Sequence, residues 1–322
     1  MEKGDIAVGS KPNPLSEKWQ SRWKDKPIYD EVIRRNIDPK VQLHKELLNV
    51  RSSAAACINV IGNIAKKKAD LISFLNTFNI GVDDILPFPS GIEVGEEKYD
   101  DVGNAIFEWI GPKKSPINEK GGKRGQNRTS VDALILAKMN DKVTQLLIEW
   151  KFTETYNSVE FFQKFGGVAG NERLRRYSDC LARLRKRGDF PFRMGYEDNF
   201  GLYDLGYEPY YQLLRMTLLA KLTTPMVFSS GLVVENYRIV HLSHSDNNGL
   251  NYLSRKHLSH SPGLKEHVGE SLHEVWKNHV LSDRESSKFH YGYWDEALEV
   301  ISQGELRRYL LERYRRTSPD RY

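Results

Sequence analysis

The chain has 322 residues, 39% hydrophobic and 28% charged, with 48 Lys and Arg against 43 Asp and Glu for a net charge of +5. That length allows one large domain or two small ones, and 16 Tyr, 13 Phe and 6 Trp supply bulk for a real core, which excludes a disordered or fibrous chain. No apolar run reaches the ~20 residues that span a bilayer, the opening MEKGDIAVGSKPNP lacks an apolar leader, and two cysteines, Cys57 and Cys180, fit a reducing compartment, so a cytoplasmic protein is expected.

Residues 1–28 are polar, carry Pro12, Pro14 and Pro27, and read as a loosely packed arm. Helical patterning runs from Tyr29 to about Phe78. Within it SSAAACINVIGNIAKKKADLISFL starts on the good cap residues Ser52 and Ser53 and spaces small and aliphatic residues by three and four. FPSGIEVGEEKYDDVG holds turn residues and five acids and reads as an exposed connection. NAIFEWIG (104–111) predicts a short strand, and the Gly- and Lys-rich PKKSPINEKGGKRGQNR after it a loop. SVDALILAK (130–138) and VTQLLIEWKFTE (143–154) predict two strands joined by a hairpin turn at MNDK, since Asn and Asp tolerate turn geometry. Helical signals return from Val159 to Arg187, although GGVAG (166–170) reads as a turn because it lacks the Lys-Ser/Thr of a phosphate loop. Another helix is expected from Pro209 through YYQLLRMTLLAKL. PMVFSSGLVV and YRIVHLSH predict two more strands, and Leu253 to Tyr314 reads as mostly helical. Helices around a strand cluster predict an α/β fold, a mixed sheet flanked by helices on both faces.

Chemistry concentrates at Asp132 and at Glu149-Trp150-Lys151. In a strand, residues i and i+2 share a face, so Glu149 and Lys151 project together and Trp150 points away. If the two strands pair, Asp132 lies beside Glu149. Two carboxylates held that way suit a hard cation such as Mg²⁺, and the ammonium can orient a water and stabilise developing charge. A charged group in a β-cluster is costly unless it is used or paired, and a simple Glu149–Lys151 ion pair on a solvated face is the competing explanation.

The pattern D-x(16)-E-W-K on consecutive strands resembles the PD-(D/E)XK nuclease superfamily, the restriction-endonuclease-like proteins. RTSVDALILA, LLIEWKFTE, SSAAACINVIG and EPYYQLLRMTLLA are similar to an uncharacterised prokaryotic branch, over roughly residues 45 to 280. The resemblance implies that Asp132 and Glu149 bind metal, that Lys151 assists the attacking water, and that Glu108 in IFEWIG is the upstream acid, a third catalytic and metal-binding group. Val131 stands where the family has proline, the least chemically needed part of the motif. The domain organisation expected is an N-terminal arm and helix over 1–50, a restriction-endonuclease-like nuclease domain over 51–304, and a basic C-terminal helix or tail over 305–322.

Basic clusters point to a polyanion. Seven Arg and Lys against Asp179 lie between Arg173 and Arg187, and six against Glu119 between Lys113 and Arg128; six arginines run from Arg307 to Arg321. In RLRRYSDCLARLRKR, Leu174, Tyr177, Leu181 and Leu184 make one apolar helix face, and Arg173, Arg176, Arg183 and Arg187 form a stripe beside it that can contact phosphates. Gln212 and Arg215, three apart, share a helix face; in the resembling branch that helix packs beside the active strands, which would let both reach the site or a phosphate, with surface polar positions as the competing explanation. Eight of nine histidines fall between His241 and His290, with His241/His244 and His257/His260 spaced by three. A zinc site there is a rival reading, weakened because His241 and His244 would face opposite sides of a strand and no cysteine is near.

The expectation is therefore a nuclease dependent on Mg²⁺, with Mn²⁺ as a substitute, acting on nucleic acid, DNA before RNA, in host defence or DNA processing. A homodimer would supply two active sites for double-strand cutting, and other proteins of a defence system are candidate partners. The alternative is a non-cleaving nucleic-acid-binding or scaffolding subunit with the same fold.

Overall fold

The computed structural model describes residues 52–89, 92–94, 97–99, 103–121, 127–154, 163–194, 200–255 and 257–314. The arm expected over 1–50 lies outside these residues, as do Val159 and the tail arginines Arg315, Arg316 and Arg321. Helix α1 (Ser53–Ile64) starts where Ser52 Oγ accepts a hydrogen bond from the Ala55 N–H at 3.3 Å. Helix α2 (Lys68–Asn76) follows, then strand β1 (Asp84–Leu86). The acidic stretch expected as a plain connection carries an antiparallel pair of its own, β2 (Ile92–Val94) with β3 (Glu97–Tyr99).

Strands β4 (Ile106–Trp109), β5 (Val131–Met139) and β6 (Lys142–Trp150) form the heart of the sheet. The turn between β5 and β6 places Asn140 at φ 48° and Asp141 at φ 62°. Positive φ at both central residues is what a two-residue hairpin turn demands, and Asn and Asp tolerate it best after glycine. Along its other edge β5 pairs antiparallel with β4 near its start and with β1 near its end. Beyond β6 the sheet continues in parallel through β9 (Asn236–Ser243) and β10 (Phe289–Tyr293). The mixed sheet is as expected.

Period-two alternation sends each strand's side chains into two apolar layers. Ala133, Ile135, Ala137, Ile148 and Trp150 join one layer with α1, α2 and helix α5 (Gly304–Tyr314). Leu134, Leu136 and Leu147 join the other, with α3 (Gly167–Lys186) and α4 (Tyr210–Thr223). In α3 the expected apolar face is buried at Tyr177, Leu181 and Leu184. Helix α5 seats Leu306, Leu310 and Tyr314 in the α1 layer, and buried Asn59 of α1 donates to the hydroxyls of Tyr309 and Tyr314, both at 3.1 Å.

Two local expectations are corrected and one strand is added. GGVAG is the entry of α3 rather than a turn. Its Gly170 lies so close to the Phe165 backbone that a Cβ would sit 2.3 Å from the Phe165 carbonyl carbon, so glycine there serves close packing. PMVFSSGLVV is not one strand: β7 (Met226–Val227) and β8 (Val233–Val234) form a small hairpin, with Gly231 at φ 85° between them. The C-terminal third is mostly helical, as expected, and also contributes the strand β10. FHYGY is short and partly polar, and only its partner β9 makes it a strand.

Trp150 is fully buried, its ring 4.6 Å from Trp294 and 6.5 Å from Phe74 in stacked arrangements. Trp150→Ala should therefore cost about 3–5 kcal/mol, the range for emptying an aromatic site in a packed core. Urea unfolding of parent and variant measures it, and a loss below 1 kcal/mol on that scale would show that the layer closes over the gap.

Candidate active site

The register of β5 with β6 pairs Ala133 with Ile148. One step further it sets Asp132 opposite Glu149. On the other edge Phe107 pairs with Ala133 and Trp109 with Val131, so Glu108 lies opposite Asp132. On the far side Glu149 pairs with His241 of β9, and His241 with Tyr291 of β10. Glu108, Asp132, Glu149, His241 and Tyr291 thus occupy one row across five strands. The sheet distorts at this row. Glu108 holds φ 55°, a left-handed conformation rare outside glycine and enriched at functional sites. Ile106 and Trp109, three apart, join the same apolar layer, as do Val131 and Leu134, so alternation breaks at both acids.

Glu149 and Lys151 are each 4% exposed, and Lys151 Nζ lies 2.7 Å from Glu149 Oε1. Lys151 is fixed from two sides: its N–H donates to the Leu242 carbonyl at 2.8 Å, and its carbonyl accepts from Trp294 Nε1 at 3.0 Å. Asp132 Oδ2 accepts from the Trp150 N–H at 2.6 Å. Burial, with Glu149 and Glu108 adding and Lys151 opposing, drives the Asp132 carboxyl well above the usual carboxylate range. The same charges reach the buried Cys57 thiol of α1, which burial raises first and Asp132, Glu108 and Glu149 raise further. With Glu149 turned to Lys151 and Asp132 to the Trp150 N–H, the three carboxylates share the row without all closing to within 4.8 Å.

A polar cleft of about 530 Å³ is walled by α3, α4 and the segments around Glu119 and Arg128, and the row residues themselves are not in its lining. Arg173, Arg176, Lys164, Arg215 and Arg128 line it, together with Glu119, Glu208, Tyr177 and Tyr211. Glu208 is 8% exposed and joins cleft to row. Its carboxyl is raised by burial first, lowered by Arg215, Lys164 and Lys151, and raised again by Glu149. Arg215 is tied into the wall: Nε donates to Thr129 Oγ1 at 3.0 Å and lies 3.9 Å from Glu119 Oε1. Burial works against its charge, yet Tyr177, Glu119, Tyr211 and Glu208 hold it above its ordinary value. Glu119 also accepts from Thr129 N–H at 2.6 Å and from Tyr177 OH at 3.0 Å.

The arginine stripe divides. Arg173 and Arg176 line the cleft, whereas Arg183 donates to the Pro116 carbonyl at 3.0 Å and Arg187 caps the exposed end of α3. Arg215 lines the cleft; Gln212, half buried on the same helix, does not. Of the paired histidines, His241 Nδ1 hydrogen-bonds His273 Nε2 at 2.7 Å, and His244 Nε2 donates to the Tyr314 carbonyl at 2.8 Å, so the two serve different partners. Burial, with His273 and Lys151 adding, holds His241 far below its ordinary value and so neutral. Sequence reasoning missed Glu119, Lys164, Glu208 and Tyr211 as cleft residues. The sole signal for Glu119 was an acid alone among six basic residues; Glu208 and Tyr211 stand in the EPYYQLLR segment without any distinguishing spacing.

A family model described as restriction endonuclease associating with ARP matches residues 5–315. No curated protein and no solved structure matches the chain. No helix among the described residues is long and apolar enough to cross a membrane.

A raised carboxyl gives the native chain an extra proton once pH passes about 4, the value of an unperturbed Asp. Stability of the metal-free chain should then fall as pH rises from there toward the raised native value, since the native state binds more protons than the unfolded one. Asp132→Asn keeps an oxygen for the Trp150 N–H and removes the titration, so it should flatten that dependence and raise Tm at neutral pH. Thermal unfolding in EDTA across a pH series checks this, and an unchanged slope would place the electrostatic tension elsewhere.

Proposed function

We propose that this chain, which belongs to the family of restriction endonucleases associating with ARP, is a divalent-metal-dependent nuclease whose active site is the Glu108, Asp132, Glu149 and Lys151 row. The observation that carries the reading is the register that sets three acids on adjacent strands beside a buried lysine. Hard oxygen donors from carboxylates suit Mg²⁺, with Mn²⁺ as substitute, and an Asp carboxyl raised by burial and then by its acidic neighbours fits a site built for a cation. Asp132 and Glu149 would hold the ion and Glu108 would support it. When bound, such an ion lowers the pKa of water and offsets charge on phosphate oxygens.

The chain's own groups do the rest. Lys151, fixed through both backbone groups, orients the attacking water and stabilises the negative charge that builds on the phosphate oxygens as the P–O bond breaks. The leaving oxygen takes a proton from solvent. Arg173, Arg176, Lys164 and Arg215 line a cationic wall where the phosphodiester backbone lies. DNA is the proposed substrate. Association with ARP, carried by the family description, is proposed as the protein partner.

Plasmid, linear and single-stranded substrates incubated with Mg²⁺, Mn²⁺ or EDTA test the reading. Asp132→Ala and Glu149→Ala should abolish cleavage, and Lys151→Ala should slow it by about 10²–10⁴, the range for a lost general acid–base group, while metal binding persists. Binding without any cutting by the parent chain would favour the non-cleaving subunit instead. The cleft gives a separate expectation: Arg173→Gln and Arg176→Gln should each lower the slope of log affinity against log salt by roughly 0.9 on duplex DNA, equally for unrelated sequences. Filter binding or anisotropy at graded salt measures it, and an unchanged slope returns both arginines to structural roles.

A further inference from the structure

Residues His267 to Glu270 close a four-residue turn in which the Glu270 N–H donates to the His267 carbonyl at 3.1 Å. Gly269 sits at φ 91°, a conformation that a side chain would strain. Leu253 holds the turn from behind: its N–H donates to the Glu270 carbonyl at 3.0 Å, and its carbonyl accepts from the Gly269 N–H at 2.7 Å. This closure brings His267 Nδ1 to 3.2 Å from Glu270 Oε1. Ser271 then caps a helical stretch, Leu272–Val275, that continues as a π-turn over Trp276–Val280, with the Leu281 N–H on the Trp276 carbonyl at 2.9 Å. Such wide turns are rare and frequent at functional sites. The π-turn carries His279, whose ring lies 4.4 Å from that of His267. Ligand-capable atoms of His267, Glu270 and His279 all lie within 4.8 Å of one another, the one such group of His, Cys, Asp and Glu among the described residues.

We infer that His267, Glu270 and His279 bind one borderline divalent transition-metal ion, Zn²⁺ by its donor preference. Two imidazoles and a carboxylate are the donor set of three-ligand zinc sites, which leave a fourth position to water. The same nitrogens disfavour Mg²⁺, which separates this site from the carboxylate row. His267 is buried whereas Glu270 and His279 are exposed, so the ion enters from solvent onto a fixed inner ligand. Glu266 Oε1 stands 3.8 Å from His267 Nε2, the ring nitrogen not turned to Glu270, a position from which it would steady the ring once the ion is bound. The ion ties the turn to the stretch bearing Leu272, Val275, Trp276 and Val280, all in the apolar layer of α3 and α4. Its role is to clamp that corner of the nuclease fold, independently of the chemistry at Asp132.

The test uses the full chain without a histidine tag, stripped with chelator, both as parent and with Asp132→Ala and Glu149→Ala together, which removes competing carboxylates. Co²⁺ followed by its visible absorption, and Zn²⁺ by displacement of Co²⁺, should each bind the doubly substituted chain at one equivalent and raise its Tm, and the parent should keep that same site alongside any ion held by its carboxylate row. His279→Ala, at an exposed position, should weaken binding more than about 100-fold and abolish the Tm gain, and Glu266→Ala should weaken it about 10–100-fold as the loss of an outer partner does. Failure of both ions to bind the doubly substituted chain at one equivalent, or binding to His279→Ala and Glu270→Ala as tight as to the parent, would overturn the site. Neither result depends on whether the chain cuts DNA.

Discussion

The β5–β6 register is the constraint from which both core and site follow. Because side chains alternate with period two, a slip of one residue would exchange every inward and outward position of the hairpin. It would lift Ile148 and Trp150 out of the α1 layer and drive Glu149 into it. The core therefore enforces the placement of Asp132 opposite Glu149: apolar burial on one face fixes where charge appears on the other. The turn contributes independently, since Asn140 and Asp141 at positive φ admit a two-residue connection and one register only.

Once placed, the acids make the row costly in the metal-free chain. Asp132 responds with a carboxyl raised well above the usual range, chiefly by burial, and Glu149 pairs with Lys151. Trp150 N–H, Leu242 O and Trp294 Nε1 fix the strand end on either side of the charges. The cleft shows the opposite balance. There Arg215 is held charged by Glu119, Glu208 and the two tyrosine hydroxyls, so the wall stays cationic although it is partly buried. Acids thus gather on the sheet and guanidinium groups on the helices, and Glu208 of the cleft lining couples electrostatically to Lys151 and Glu149 of the row.

Much of this was legible in the sequence where local pattern and tertiary role agree. VDALILA and LLIEW alternate, MND signals a turn, and Tyr177, Leu181 and Leu184 recur at helical spacing, so the hairpin, α3 and the acid pair could be anticipated. The pattern failed where a neighbour decides. FHYGY becomes β10 only beside β9; Gly170 looks like a turn residue until Phe165 is packed against it. The cleft was the least legible part. Glu119, Lys164 and Glu208 come from three separate segments, and no spacing along the chain encodes their convergence. Along the arginine stripe, helical periodicity gives four residues one face, but that face is longer than the cleft: Arg173 and Arg176 line it, while Arg183 donates to the Pro116 carbonyl.

Burial of Lys151 is the detail that ties the two layers together. A lysine side chain that keeps its stem in a packed interior loses freedom, and an ammonium there needs a partner. Here the partner is Glu149, while the lysine's own backbone is bracketed by a carbonyl of β9 and an indole from the opposite layer. Trp294 stacks on Trp150 and packs edge-on against Tyr314 of α5, and Phe152 lies within 5.5 Å of the Trp294 ring centre. The aromatic cluster that closes the α1 layer is therefore also what holds the lysine's main chain in place. A change in that cluster would reach the charged row without touching any charged group, through the position of Lys151 alone. The C-terminal helix, expected from its arginines to be a basic appendage, supplies part of that cluster through Tyr314, so its apolar face serves the core, and through the core it helps to position Lys151.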